Sequence, residues 1–291
     1  PSVSAGWALT EESFIQDLDL QPLTFLKLRA SWGSLGNERI GNYPYQAIMN
    51  FNDVLLFDGD KITANTSASQ TSYNIRDITW ETTNTWNIGL DATLFNNRLS
   101  LTGDYYKKET RNMLLQLAIP RFMGFGLPDQ NAGDMHTTGW EVALGWRDRV
   151  GDFRYSVQAH VSDYKSVMGN LSGIVFLGDQ IIREGSEFNE WYGYRSSGLF
   201  QTQTDVDTSP LLTGAEKPGD VKFVDISGPE NKPDGSIDPT NDKTLLGGSL
   251  PRYEYGGVIN LGYKGFDLSV MFQGVGKRLS RLTDDMVYQT I

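Results

Sequence analysis

The sequence predicts an all-β chain, the antiparallel wall of a transmembrane β-barrel with about eight strands. Three observations predict it. Apolar and polar residues alternate with period two along each candidate strand. Three strand pairs close through very short turns flanked by aromatics, and the connections at the opposite ends are long.

Taken in order, the first pair is residues 3–9 and 26–32, joined by residues 10–20, where Thr10 is placed to cap a short helix running into Glu11 and Glu12. The second runs over 78–95, turns at Asn96 and Asn97 and returns over 98–109. Trp80, Trp86, Ile88, Leu90, Ala92 and Leu94 share one face of its first strand, while Glu81, Thr83, Thr85, Asn87, Asp91 and Thr93 share the other. Phe95 falls on the polar parity. The third pair carries Trp140, Val142, Leu144 and Trp146, reverses through 147–152, and continues with Phe153, Tyr155, Val157, Ala159 and Val161. Opposite them lie Glu141, Arg154, Ser156, Gln158, His160 and Ser162. The fourth leads from Tyr255 through Ile259 and Tyr263 to a Lys264-Gly265 turn. Phe266, Leu268, Val270 and Phe272 then alternate with Asp267, Ser269, Met271 and Gln273.

No apolar run has the roughly 18 to 20 residues of a spanning helix, and the first residues show no signal-peptide pattern. A spanning strand needs only about 9 to 11 tilted residues with every second one apolar, so low mean hydropathy is no objection. From Tyr255 to Tyr263 the rise is roughly 26 Å, the height of an outer-membrane apolar band. Trp146 with Phe153, Tyr263 with Phe266 and Phe95 near Leu99 read as interfacial girdles. The competing reading is a soluble sandwich whose aromatics sit between two sheets.

The 291 residues are 39% hydrophobic and 12% aromatic, enough for a folded chain. A net charge of −11 argues against a nucleic-acid partner. With no cysteine and only His136 and His160, thiolate and multi-histidine metal sites are excluded. There is no Gly-x-Ser-x-Gly elbow, His-Glu-x-x-His or phosphate-binding glycine loop, so no enzyme and no cofactor are expected. The pairs Glu187 with Glu190 and Asp205 with Asp207 are what any acidic loop offers, and are not expected to form a catalytic dyad.

Function is expected in the long loops, about 33–78, 110–138 and 163–253, which exceed ordinary connections. The third holds 14 acidic and 8 basic residues and is expected to present a solvated acidic surface. Its stretch 230–238 loosely resembles a calcium loop around Asp234, Gly235, Ser236 and Asp238. Lys232 stands where that pattern needs Asp or Asn, so a polar turn is expected instead. Trp191, Tyr192 and Tyr194, or Phe122 and Phe125, could stack on a sugar ring or meet a partner, although loop aromatics more often pack the loop on itself.

The stretches 26–37, 80–91, 97–107 and 218–225, Asp234-Gly-Ser-Ile-Asp238, Leu250-Pro-Arg-Tyr-Glu-Tyr-Gly256 and 265–274 resemble SusC/RagA-type TonB-dependent transporters. The matches run in order through most of the chain. In that family the acidic turn usually reads Asp-x-Asn-Gly-Asp-Gly; Ser227, Pro229 and Lys232 depart from it. The resemblance implies part of a larger barrel of about 22 strands around an N-terminal plug, spanning the outer membrane as a multi-pass protein. It implies import of glycans, or in some members peptides, driven by the TonB complex and closed by a SusD-like surface lipoprotein. The plug, the TonB box and the closing strands are expected to lie outside this sequence.

On this reading the apolar stripes face outer-membrane lipid. Lys27, Arg29, Asp91, Asp104, Glu141, Arg154, Gln158 and His160 face the lumen, hydrating it or meeting the plug. A passive porin or adhesin barrel shares every wall feature, and a soluble carbohydrate-binding sandwich is the reading from a different class.

Overall fold

A computed structural model of the chain describes residues 1–18, 20–37, 46, 48–59, 61–70, 78–116, 122, 124, 129–171, 178–228 and 232–282. Along the chain come β1 (Ser2–Ala8), a 3-10 turn at Leu9–Glu11, α1 (Ser13–Gln16) and β2 (Leu23–Asn37). A separate two-stranded hairpin follows, β3 (Met49–Asp58) with β4 (Lys61–Gln70). Then come β5 (Glu81–Leu94), β6 (Leu99–Arg111), the short pair β7 (Leu114–Gln116) and β8 (Asp129–Asn131), β9 (Met135–Val150) and β10 (Phe153–Met168). The long third loop contains β11 (Gln180–Ile181), β12 (Glu190–Tyr194), β13 (Ser196–Leu199), α2 (Gln203–Asp207), β14 (Val221–Phe223) and β15 (Lys243–Gly247). The chain returns through β16 (Arg252–Tyr263) and β17 (Phe266–Lys277).

Eight of these strands form one antiparallel sheet in the order β1-β2-β5-β6-β9-β10-β16-β17. Opposed residues on neighbouring strands share a face, so the register sorts every side chain. The row Ala30, Ile88, Tyr105, Trp140, for example, lies on the apolar face. That face has no protein cover among the described residues: Trp86 is 62% exposed, Ile88 64% and Leu144 48%. Of the buried apolar side chains among the described residues, only Ala92 and Met168 belong to the wall. A sandwich would bury this flank, so the sandwich reading fails here.

The wall strands run farther than the alternating apolar signal. On the apolar parity of β9, Trp140 to Trp146 are continued upward by Thr138 and His136, and on β10 Val161 is followed by Asp163 and Lys165. Sixteen tilted residues outreach a band of about 25 Å, so the ladder continues above it with polar residues facing outward. Part of each expected loop is therefore strand.

At the short-turn end the sequence reading needs four corrections. Phe95, Asn96 and Asn97 are all left-handed, with φ of 57°, 55° and 65°, so alternation stops at Leu94. Phe95 consequently meets Trp146, centroids 5.9 Å apart, on the aromatic girdle and not on the polar parity. The expected reversal over 147–152 is strand up to Val150, and only Gly151 and Asp152 turn. Thr10 caps neither short helix; its hydroxyl accepts from the Leu26 N–H at 3.3 Å, pinning the 9–22 connection to β2. That connection also makes this end less uniformly short than the alternation of loop lengths suggests. At the other end of β5, Trp80 precedes the strand but lies over Gly36, whose register partner Thr82 is on the apolar face, so it keeps to the stripe.

The packed core lies at the opposite end, where the second and third loops meet the wall. Met113, Met168 and Leu171 are buried there against Leu115, Met135, Ile182 and Phe188. Backbone bonds fasten the same joint: Asp134 N donates to Asn170 O, Gly169 N to Asp134 O and Met168 N to Ser186 O.

Candidate functional site

All eight residues expected to face inward share the polar face of the sheet. The register pairs Lys27 with Asp91 and Asp104 with Glu141, and places His160 opposite Ala143 and Gln158 opposite Gly145. Arg29 is the hub. Its guanidinium grips Asp91 (Nε to Oδ2 2.7 Å, Nη2 to Oδ1 3.2 Å) and, one strand farther, Asp104 (Nη1 to Oδ1 3.0 Å, Nη2 to Oδ2 2.9 Å). Two forked contacts of this kind are directional as well as electrostatic. The reach from β2 to β6 crosses β5 at Gly89, where a Cβ would lie 2.6 Å from the guanidinium carbon and from Asp104 Oδ1. Glycine is required there by close approach.

The same device recurs in a weaker form. Arg154 on β10 passes Gly262 on β16 to reach Asp267 on β17 at 3.4 Å, with both side chains well exposed. Arg147 and Arg149, expected in a turn from the sequence, join Arg154 and Asp267 around a cleft of about 620 Å³ at the short-turn rim. Gln158 and His160 line a second recess of about 470 Å³ at mid-height, with Ser100, Thr102 and Gln273. The recess exists because Ala143, Gly145 and Gly256 leave its floor low.

The loop aromatics divide. Trp191, Tyr192 and Tyr194 all lie on β12, the middle strand of a small sheet β11-β12-β15. Tyr194 packs on Phe223 at 5.3 Å and under the Lys243 ammonium at 5.4 Å; burial, with Asp238 and Asp242 nearby, pushes its phenol up. It is a packing residue. Trp191 and Tyr192 instead line a cavity of about 470 Å³ with Leu246, Leu279, Asp179 and Arg281. Phe122 is 90% exposed in the connection between β7 and β8, and Phe125 lies outside the described residues.

Part of the third loop's acidity is structural, with Asp163, Glu190 and Asp242 buried, while its other described carboxylates stay at least partly exposed. Asp242 is fully buried; its Oδ1 accepts from Ile226 N at 2.7 Å and Ser227 N at 3.2 Å, and its Oδ2 from Asp238 N at 2.8 Å. Glu216 accepts from Leu212 N and Thr213 N, Asp220 from Lys217 N, and Asp238 from Thr240 N and Asn241 N. Asp205 binds Lys222 at 2.7 Å, and Glu190 accepts from Glu187 N while Glu187 meets Lys165. Among the described residues no three acidic or imidazole groups converge as metal ligands. Glu230, at the start of the calcium-like stretch, lies outside the described residues.

These bonds set a pH dependence. Asn241 and the backbone N–H groups of Thr240 and Asn241 hold Asp238 below the usual carboxylate range, Lys222 does so for Asp205, and the Thr213 N–H for Glu216. Burial opposes ionisation of Asp242, but its backbone donors outweigh it and the net direction is also down. Lowered carboxylates stabilise above their unfolded values near about 4 and lose that contribution as pH falls through the folded values. Amide protection at Ile226, Ser227 and Thr213, corrected for intrinsic exchange, is expected to be flat from about pH 5 to 8 and to fall below about pH 4. A fall between pH 8 and 6 would contradict the assignment.

A family model described as "TonB dependent receptor-like, beta-barrel" matches residues 1–253. TonB-dependent receptor P26 of Formosa agariphila is 32% identical over 288 residues, covering 94% of this chain and 28% of that protein. TonB-dependent receptor SusC of Bacteroides thetaiotaomicron is 27% identical over 280 residues, covering 92% of this chain and 26% of that protein. A solved structure of the RagAB peptide transporter superposes with a TM-score of 0.74 at 24% identity, covering 94% of this chain and 28% of that one; this likeness speaks for the fold. The chain thus spans little more than a quarter of the length of these relatives. With an eight-stranded wall, a bare apolar flank and a family match over most of its length, the chain belongs to the TonB-dependent receptor β-barrel family of the bacterial outer membrane.

Proposed function

We propose that the chain supplies eight wall strands and part of the extracellular mouth of a TonB-driven importer of glycans or peptides. The polar face lines the lumen, the β9–β10 and β16–β17 turns point to the periplasm, and the long loops form the mouth that meets a SusD-like surface lipoprotein. On this reading residues 1–291 belong to one partial barrel domain, to be completed by a plug and further strands.

One observation carries this reading: a single continuous sheet keeps its apolar flank bare while its other flank holds braced charge at Arg29, Asp91 and Asp104. Lipid is the medium in which such a flank costs nothing, because a closed ladder satisfies the backbone. Most of Arg29 is occupied by its own wall, so Lys27, Glu141, Gln158 and His160 are the residues available to water, plug or solute.

The test is uptake by the complete protein in cells. Accumulation of labelled oligosaccharide or oligopeptide is expected to collapse to background when TonB is deleted, with the barrel still in the membrane. Uptake that persists without TonB would make it a passive porin.

A further inference from the structure

Resting on the reading of these loops as an importer's mouth, we infer that the cavity beside β12 is a peptide side-chain pocket, built for an apolar or aromatic group and not for a sugar ring. It forms where the small loop sheet meets the segment leaving β17. Its volume of about 470 Å³ suits one large side chain with some adjoining backbone.

The lining decides the class of ligand. The Trp191 indole N–H is already committed to the Leu279 carbonyl at 2.9 Å, so the ring offers the cavity only its apolar surface. Leu246 and Leu279 supply aliphatic surface, and Leu246 remains 42% exposed although it lines a concavity. Gly247 permits the closeness of Leu279, whose Cδ1 would lie 2.8 Å from a Cβ there. A sugar seated on the two leucines and the Trp191 face would find polar partners only toward Ser280, Tyr192 and the rim pair, and a hydroxyl left unmatched against the leucines is costly to desolvate. An apolar side chain incurs no such cost.

Charge at the rim fits the same ligand. Arg281 and Asp179 pair across the cavity edge, both more than half exposed. A peptide carries donors, acceptors and two charged ends that can exchange with such a pair, whereas a neutral glycan has no charge to offer either residue. Asp179 is held in place by its carbonyl, which accepts from Tyr192 N at 2.9 Å.

The intact protein in detergent is titrated calorimetrically with the tetrapeptides Gly-Gly-Phe-Gly and Gly-Gly-Ala-Gly and with cellotetraose. The phenylalanine peptide is expected to bind at least about tenfold tighter than the alanine one. Leu246→Asp, at an exposed position, is expected to erase that difference with tryptophan fluorescence unchanged. Equal binding of the two peptides, or a preference that survives Leu246→Asp, overturns the inference. So does a cellotetraose affinity that Leu246→Asp abolishes, which would make the pocket a sugar site. Because TonB-dependent uptake is measured separately, an importer with a failed pocket is distinguishable from a failed importer.

Discussion

Arg252→Ala is expected to destabilise the base of the third loop by about 3–5 kcal/mol, the cost of stranding a buried carboxylate. Asp163 at the upper end of β10 is only 7% exposed, and its carboxylate is held by Arg252 Nε at 2.5 Å, Arg252 Nη2 at 2.6 Å and Tyr253 N at 3.2 Å. Asp163 stands just above the last β10–β16 register pair, Ser162 with Glu254, and Arg252 opens β16, so the pair ties β10 to the point where the long loop returns. Without the guanidinium, Asp163 keeps its burial and loses both forked bonds. Arg252→Lys is expected to recover only part, since an ammonium restores the charge but not the fork. Replacing both residues by leucine is expected to be milder than Arg252→Ala, because no charge is left unpaired. Limited proteolysis of the loop in the assembled protein reads the effect, and unchanged cleavage of Arg252→Ala would refute it.

Leu144→Arg is expected to impair membrane assembly by about 2–4 kcal/mol, the cost of a cation on the lipid face near the bilayer midplane. Leu144 pairs with Leu101 and Ala159 in the middle of the apolar band, and Val157, between Trp146 and Ile259, should behave likewise. Gln158 is one residue from Val157 and faces the opposite way, opposite Gly145 and Val258. Gln158→Arg should therefore assemble normally. Urea titration of the complete barrel in lipid vesicles measures all three, and equal tolerance would refute the assignment of faces.

Local pattern reaches far in a chain of this kind. Strand existence, the facing of Trp86, Leu144 and Val157, and the Lys264-Gly265 turn all follow from period-two alternation and turn chemistry, which involve neighbours in sequence. The misreadings also have local causes. Strict parity puts Phe95 on the polar face, but three successive left-handed residues reset the count. Residues 147–150 look like a turn because charge outnumbers apolar residues there, yet the ladder with β10 holds them extended. The upper ends of β9 and β10 were hidden because strands outside lipid have no need of apolar outward residues.

What the sequence determined by itself is the wall: an amphipathic ladder needs only alternation, and a membrane asks nothing finer of its lipid face than that it be apolar. The partners of the polar groups, by contrast, depend on contacts between distant segments. Arg29, Gly89 and Asp104 come from three different strands and meet only through the register. Asp163 and Arg252, 89 positions apart, close a loop that no periodicity announces. Asp242 is surrounded by the amides of Ile226, Ser227 and Asp238, although its composition alone reads as solvated charge. Alternation is set by each residue's own backbone, whereas the partners of a charge are set by where distant segments are brought together.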